Sequence, residues 1–130
     1  MKSYRELDVW KKAMDMVVAV YELTSKFPAR ELYGLTSQMQ RAAVSVPANI
    51  AEGYGRLHRG DYIHHLSIAR GSLAELETHV ALAVRLGFAK RSEAALLWNT
   101  AQEVGKMLSG MIRSLQGESK KNPTSIADDT

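Results

Sequence analysis

The chain is predicted to be all-α, an antiparallel up-down-up-down four-helix bundle, on two observations. Apolar residues recur about every 3.5 to 3.6 positions throughout, and no segment shows sustained period-two alternation bounded by turns. Breaks at Pro28, at Gly53 to Gly60 and at Gly87 divide the pattern into four long segments with short connections. Such segments pack most simply as neighbours running in opposite directions. For 130 residues, one domain with one core is the expected organisation. Residues 1–116 form the bundle and 117–130 a disordered polar tail with almost nothing to bury.

In the first segment, Leu7, Trp10, Met14, Val17, Tyr21 and Thr24 are spaced three and four apart and form the predicted core stripe of a helix of about five turns. Pro28 ends it. Val9, Ala13, Met16, Val20, Leu23 and Phe27 make a second stripe beside the first. The stretch PARELYG, 28–34, is at most a short helical turn, with Gly34 placed to close it in the left-handed conformation.

Thr36 or Ser37 is the predicted cap of the second helix, Ser37 standing in capping-box spacing with Gln40. Met39, Ala43, Val46 and Ile50 form its apolar stripe. Within it, RAAVSVPANIAEGYGR, 41–56, carries Pro47. An interior proline removes a backbone donor and costs a helix about 3 kcal/mol. Its small neighbours Ala42, Ala43, Ser45, Ala48, Ala51 and Gly53 allow another helix to approach closely and offset a kink. The Ala43 carbonyl then needs water, a local distortion or a side chain.

Asp61 is the predicted cap of the third helix, whose stripe is Tyr62, Leu66, Ala69, Leu73, Leu76, Val80 and Ala83. Gly87 followed by Phe88 reads as a glycine stop with its hydrophobic contact. Ser92 caps the fourth helix, which carries Ala94, Leu97, Ala101, Val104, Leu108, Met111 and Leu115 and ends at Gly117. Trp98, Gly105 and Ile112 recur every seven residues beside that stripe. With the doubled stripe of the first helix, they leave more apolar surface than one bundle needs. Broad burial in a globular helix is one reading, and a subunit interface is the other.

Several function classes drop out on composition. The chain has no cysteine, so disulfides, thiolate metal sites and cysteine nucleophiles are excluded. No apolar run approaches the roughly 20 residues that span a bilayer. The opening MKSYRELDVW resembles neither a secretion signal nor a transit peptide, so the expected location is cytoplasmic, without membrane contact. The net charge is +3, and the acidic tail leaves residues 1–116 at +4. That mild excess permits contact with nucleic acid.

No phosphate loop, dinucleotide fingerprint or nucleophile elbow is present. Glu75 and His79 stand one turn apart, but the chain has no Glu-x-x-His of the kind di-iron bundles use. Neither a metal nor an organic cofactor is expected, and the protein is not expected to be an enzyme. His64, His65, Glu75, Glu77 and His79 read as a solvated face of the third helix. Ser45, Asn49, Glu52 and Arg56 form a polar stripe on the second, with Glu52 and Arg56 at ion-pair spacing. That stripe is either solvated or, given Asn49 amid small residues, hydrogen-bonded across a contact. GYGRLHRG gathers Arg56, His58 and Arg59 beside Tyr54 in a flexible loop. The loop suits phosphate contact and base stacking, against the plainer reading of a solvated turn.

VWKKAMDMVVAVYELT, the FP after it, YGLTSQMQRAAVSVPANIAEGYGR and IARGSLAELETHVALAVRLG, in that order, closely resemble the four-helix bundle family first noticed as proteins encoded in intervening sequences of bacterial large-subunit ribosomal RNA genes. The resemblance covers about residues 5–116 and implies a bundle that assembles as a homopentameric ring. Related accessory proteins of diversity-generating retroelements bind nucleic acid and a reverse transcriptase. The resemblance thus implies Arg41, Arg56 and Arg70 as shared basic positions, while His58 and Arg59 rest on this sequence alone. The leading expectation is a nucleic-acid-associated homo-oligomer taking RNA or DNA. The alternative is a protein-binding scaffold without nucleic-acid affinity.

Overall fold

The described residues form four α-helices, α1 (Asp8–Thr24), α2 (Leu35–Tyr54), α3 (Arg59–Arg85) and α4 (Arg91–Lys121). The structure is a computed structural model describing residues 3–121, with side chains through 117. Short 3-10 turns at Tyr4–Glu6 and Ala29–Glu31 precede α1 and α2, and no strand occurs among the described residues. α1 packs on α2 and α4, and α3 packs on the same two, so the helices surround one core in cyclic order. Met16, Val20, Met39, Val46, Ile50, Leu66, Leu76, Val104 and Leu108 are fully buried there. Each side chain of this size contributes about 1.5–3 kcal/mol by leaving water.

The stripes expected for α2 and α3 are the ones buried, with Tyr62 half-buried at the end of its row. The assignment for α1 is reversed in part, since Thr24 of the predicted stripe is buried and Leu7, Trp10 and Val17 are half-buried against the core. Val9, Ala13, Met16, Val20, Leu23 and Phe27 face the core, while Met14 and Tyr21 of the predicted core stripe are 40% and 48% exposed. The two rows share one period and lie one residue apart, so periodicity alone does not rank them. The buried row has one aromatic side chain, Phe27 at its end, whereas the other carries Trp10 and Tyr21 within the helix. On α4, Ile112 also belongs to the core, and only Trp98 of its seven-residue row is substantially exposed, at 38%.

The helix ends differ from expectation in instructive ways. Gly34 has a negative φ and serves as the N-cap of α2, with the Glu31 carboxylate accepting from the Leu35 N–H at 3.3 Å in place of a Thr36 or Ser37 cap. Thr36 is buried instead. α3 begins at Arg59 with His58 as N-cap, so Asp61 lies in the first turn, where its charge still favours the helix N-terminus. Before α4, Glu93 Oε1 accepts from the Lys90 N–H at 2.8 Å, the returning half of a capping box in place of a Ser92 cap. Gly87 performs as expected. With φ +76°, it donates to the Val84 carbonyl while Phe88 donates to that of Ala83, a Schellman closure. α4 continues through Gly117 to Lys121, because one glycine weakens a helix by about 1 kcal/mol without breaking it. The expected tail lies, from residue 122 on, outside the described residues.

Pro47 lies buried inside α2. Asn49 Nδ2 donates to the Ser45 carbonyl at 2.9 Å, adding a donor to the stretch where proline has removed one. The small residues do bring a neighbour close. A Cβ on Gly53 would stand 2.8 Å from His65 Cβ and 3.0 Å from Tyr62 Cδ1, both on α3. On the other side of α3, a Cβ on Gly105 would meet Leu73 Cδ2 at 3.2 Å. The α1 side is tied to α4 by charge, with Lys12 bonded to Glu103 and Lys26 Nζ 3.2 Å from Glu93 Oε2.

Two tests follow from this packing. Gly53→Ala should destabilise the protein by about 1–3 kcal/mol through overpacking, despite the better helix propensity of alanine. Gly71→Ala, an exposed site where a Cβ meets nothing within 4 Å, should stabilise it by about 0.5–1 kcal/mol. Denaturant unfolding of both variants reads the difference.

The Lys90 N–H bond, then the Lys26 contact, hold the Glu93 carboxyl below its ordinary value. Its stabilisation is therefore present above the usual carboxylate range and lost as pH falls through the lowered value. Glu93→Gln should lower the thermal midpoint at neutral pH, and the difference should vanish in acid, where the wild-type carboxyl is protonated.

A candidate nucleic-acid interface

α2 ends at Tyr54 and α3 begins at Arg59, so only Gly55 to His58 connect them. The sharp reversal follows from the close approach at Gly53. Tyr54 and Tyr62 meet edge to face across it with ring centroids 6.1 Å apart. Burial, and then the neighbouring Tyr54, push the Tyr62 phenol above its ordinary value, so it stays neutral through the physiological range. Gly55, Arg56, Leu57 and His58 are all exposed.

The structure brings three of the five expected basic residues together. Arg56 and His58 lie in the turn, and Arg59 is the half-buried first residue of α3 rather than part of a loop. Arg56 Nη2 contacts Glu52 Oε1 at 2.7 Å, the ion pair that the spacing predicted. Both side chains are about half exposed, and pairs of this kind contribute only a few tenths of a kcal/mol. A phosphate therefore meets little competition for the guanidinium. Arg41 is exposed on α2, roughly 20 Å along the helix from Tyr54 at 1.5 Å per residue. Arg70 is exposed on α3 and lines a groove with α4. Neither shares the turn.

Behind the turn, a polar ladder crosses the α2–α3 contact. His65 Nδ1 lies 3.1 Å from Asn49 Oδ1, Asn49 Nδ2 donates to Ser45 Oγ at 3.1 Å, and Ser45 Oγ is 2.8 Å from Ser72 Oγ. Ser45 and Asn49 thus follow the cross-contact reading of the polar stripe and oppose sliding of the two helices, while Glu52 and Arg56 are solvated. The solvated-face reading of α3 needs correction at the same place. His65 is half-buried in the ladder, and His79, one heptad beyond Ser72, is only 8% exposed, with Nδ1 shielded and unbonded. Glu77 accepts from Gln102 of α4 at 3.1 Å. The signal for this burial was the seven-residue recurrence of His65, Ser72 and His79, the first two of which bond to α2.

His79 Nε2 and Glu75 Oε1 are 4.0 Å apart. No group of three His, Asp or Glu side chains placed to hold a metal occurs among the described residues. None of the described helices is long and apolar enough to cross a membrane.

Four helices around one core, carrying a short basic turn at one end, define a helical-bundle protein. The chain belongs to the family of 23S rRNA-intervening sequence proteins, whose sequence model matches residues 5–110. Among solved structures, it is similar to a protein of unknown function from the S23 ribosomal protein family of Bacteroides thetaiotaomicron VPI-5482. The two are 25% identical and superpose with a TM-score of 0.73, over 80% of this chain and 97% of that one. Comparison with curated proteins finds no match.

Proposed function

We propose that the protein is a non-enzymatic, cytoplasmic homo-oligomer of four-helix bundles, each folded up-down-up-down, that binds nucleic acid through the α2–α3 turn. The observation that carries this reading is the gathering of Arg56 and His58 in a four-residue reversal, with Arg59 at the first position of α3, beside the Tyr54–Tyr62 pair. Two or three cations beside an aromatic ring match the phosphate and the base of a single strand.

Residue pairs support the antiparallel order. Along α2 and α3, Gly53 meets Tyr62 and His65, whereas Ser45 meets Ser72. Glu77 meets Gln102 and Leu73 meets Gly105. Lys12 meets Glu103 and Lys26 meets Glu93. In each case the number falls on one helix as it rises on the other. The apolar surface that supports assembly is the outer face of α1, where Met14, Val18 and Tyr21 are exposed, together with Trp98 of α4. The pentamer is the state implied by the family resemblance. Cyclic repetition would present the same turn several times and raise avidity without new contacts.

Fluorescence anisotropy against single-stranded RNA and DNA over a salt series tests the reading, with light scattering on the same samples. The expected result is an oligomer, a pentamer in particular, whose log affinity falls with log salt by about 0.7 per phosphate contacted. Arg56→Glu with Arg59→Glu should abolish binding while helicity and oligomer size stay the same. A clean monomer removes the assembly. Absence of binding by the wild type at low salt replaces the nucleic-acid reading with the protein-binding scaffold.

A further inference from the structure

Arg70, Lys106 and Arg113 line one groove between α3 and α4, with Ser109 beside them and Leu73 and Gly105 in the apolar part of its lining. The open volume is about 360 Å³. All three cations are exposed, and none has an ion-pair partner among the described residues. Lys12, Lys26 and Arg56, by contrast, each meet a carboxylate. The one acid lining the groove, Glu77, is engaged by Gln102. The three cations outnumber that one carboxylate, so the groove carries a positive local potential that the modest net charge conceals.

We infer that this groove continues the turn's binding surface, and that Arg70, Lys106 and Arg113 hold the phosphate backbone of a single-stranded nucleic acid running along α3. The inference rests on the nucleic-acid reading above and deepens it by naming a second contact region. Its geometry follows from the helix itself. Arg59 and Arg70 are eleven residues apart, which at 3.6 residues per turn places them within about 20° of one face and separates them by about 16 Å. A strand seated on the turn therefore enters the groove without crossing α3. Leu73 packed against Gly105 keeps the helices close beneath it, so the cations stand along the rim. Arginine and lysine there need no base identity, so the track is sequence-tolerant and the turn's tyrosine supplies the stacking.

Sequence reading located Arg70 but missed Lys106 and Arg113. They lie on the far helix and become neighbours of Arg70 only through packing.

The test uses the full chain with a labelled single-stranded DNA oligonucleotide. Lys106→Glu with Arg113→Glu should weaken binding by about tenfold or more at low salt, given the strength of charge-assisted contacts. The salt slope should become shallower by about 1.4, or 0.7 for each lost contact. Lys106→Gln with Arg113→Gln should give the same slope change and serves where the reversal does not fold. In the wild type, the oligonucleotide should protect Lys106 from acetylation.

Unchanged affinity, slope and acetylation, with binding still lost in Arg56→Glu with Arg59→Glu, overturns the groove and leaves the proposed function standing. Altered oligomer size with unchanged binding also overturns it, identifying the groove as a subunit contact. No wild-type binding removes both readings.

Discussion

The close approach of α2 to α3 at Gly53 is the constraint on which the remaining structure depends. With Cβ positions 2.8 Å from His65 and 3.0 Å from Tyr62 denied to any larger residue, the helices meet almost backbone to side chain, and four residues suffice to join them. The same approach brings Tyr54 onto Tyr62 and Asn49 within reach of His65. Pro47 is buried in the same helix, and the Asn49 side chain adds a bond to the Ser45 carbonyl nearby. The polar ladder then fixes register, since sliding either helix by one turn would leave half-buried oxygens and nitrogens unmet.

Charge is distributed differently on the two sides of the molecule. Where α1 meets α4, lysines are neutralised by Glu103 and Glu93, the latter also closing the start of α4. Where α3 meets α4, Arg70, Lys106 and Arg113 have no carboxylate partner among the described residues. The exposed apolar residues of α1, Met14, Val18 and Tyr21, lie on a different part of the molecule from the α3–α4 cations.

How much of this was legible in the sequence depended on whether neighbouring signals competed. The α2 and α3 stripes had no rival row and were read correctly, as was Gly87, whose place before Phe88 admits few alternatives. α1 carried two rows of equal period, one residue apart, so periodicity could not rank them and only the packing against α2 and α4 does. Caps were misread because serine, threonine and aspartate near a helix start compete with glutamates that reach back from the next turn or the preceding one, as Glu93 and Glu31 do. His79 looked solvated because charged residues flank it, while its heptad partners His65 and Ser72 pointed inward. The turn residues were legible as a cluster. Their relation to Lys106 and Arg113 was not, because it arises from tertiary packing between helices distant in sequence.

Native-state hydrogen exchange tests the central role of the α2–α3 contact most directly, since it ranks cooperative units by their free energy of opening. The amides of Val46 to Gly53 and of Tyr62 to Leu73, apart from Pro47, should be the slowest in the protein and exchange only through global unfolding. If the slowest amides lie instead in α1 or α4, with α2 and α3 opening locally, the close approach at Gly53 is not what holds the bundle together.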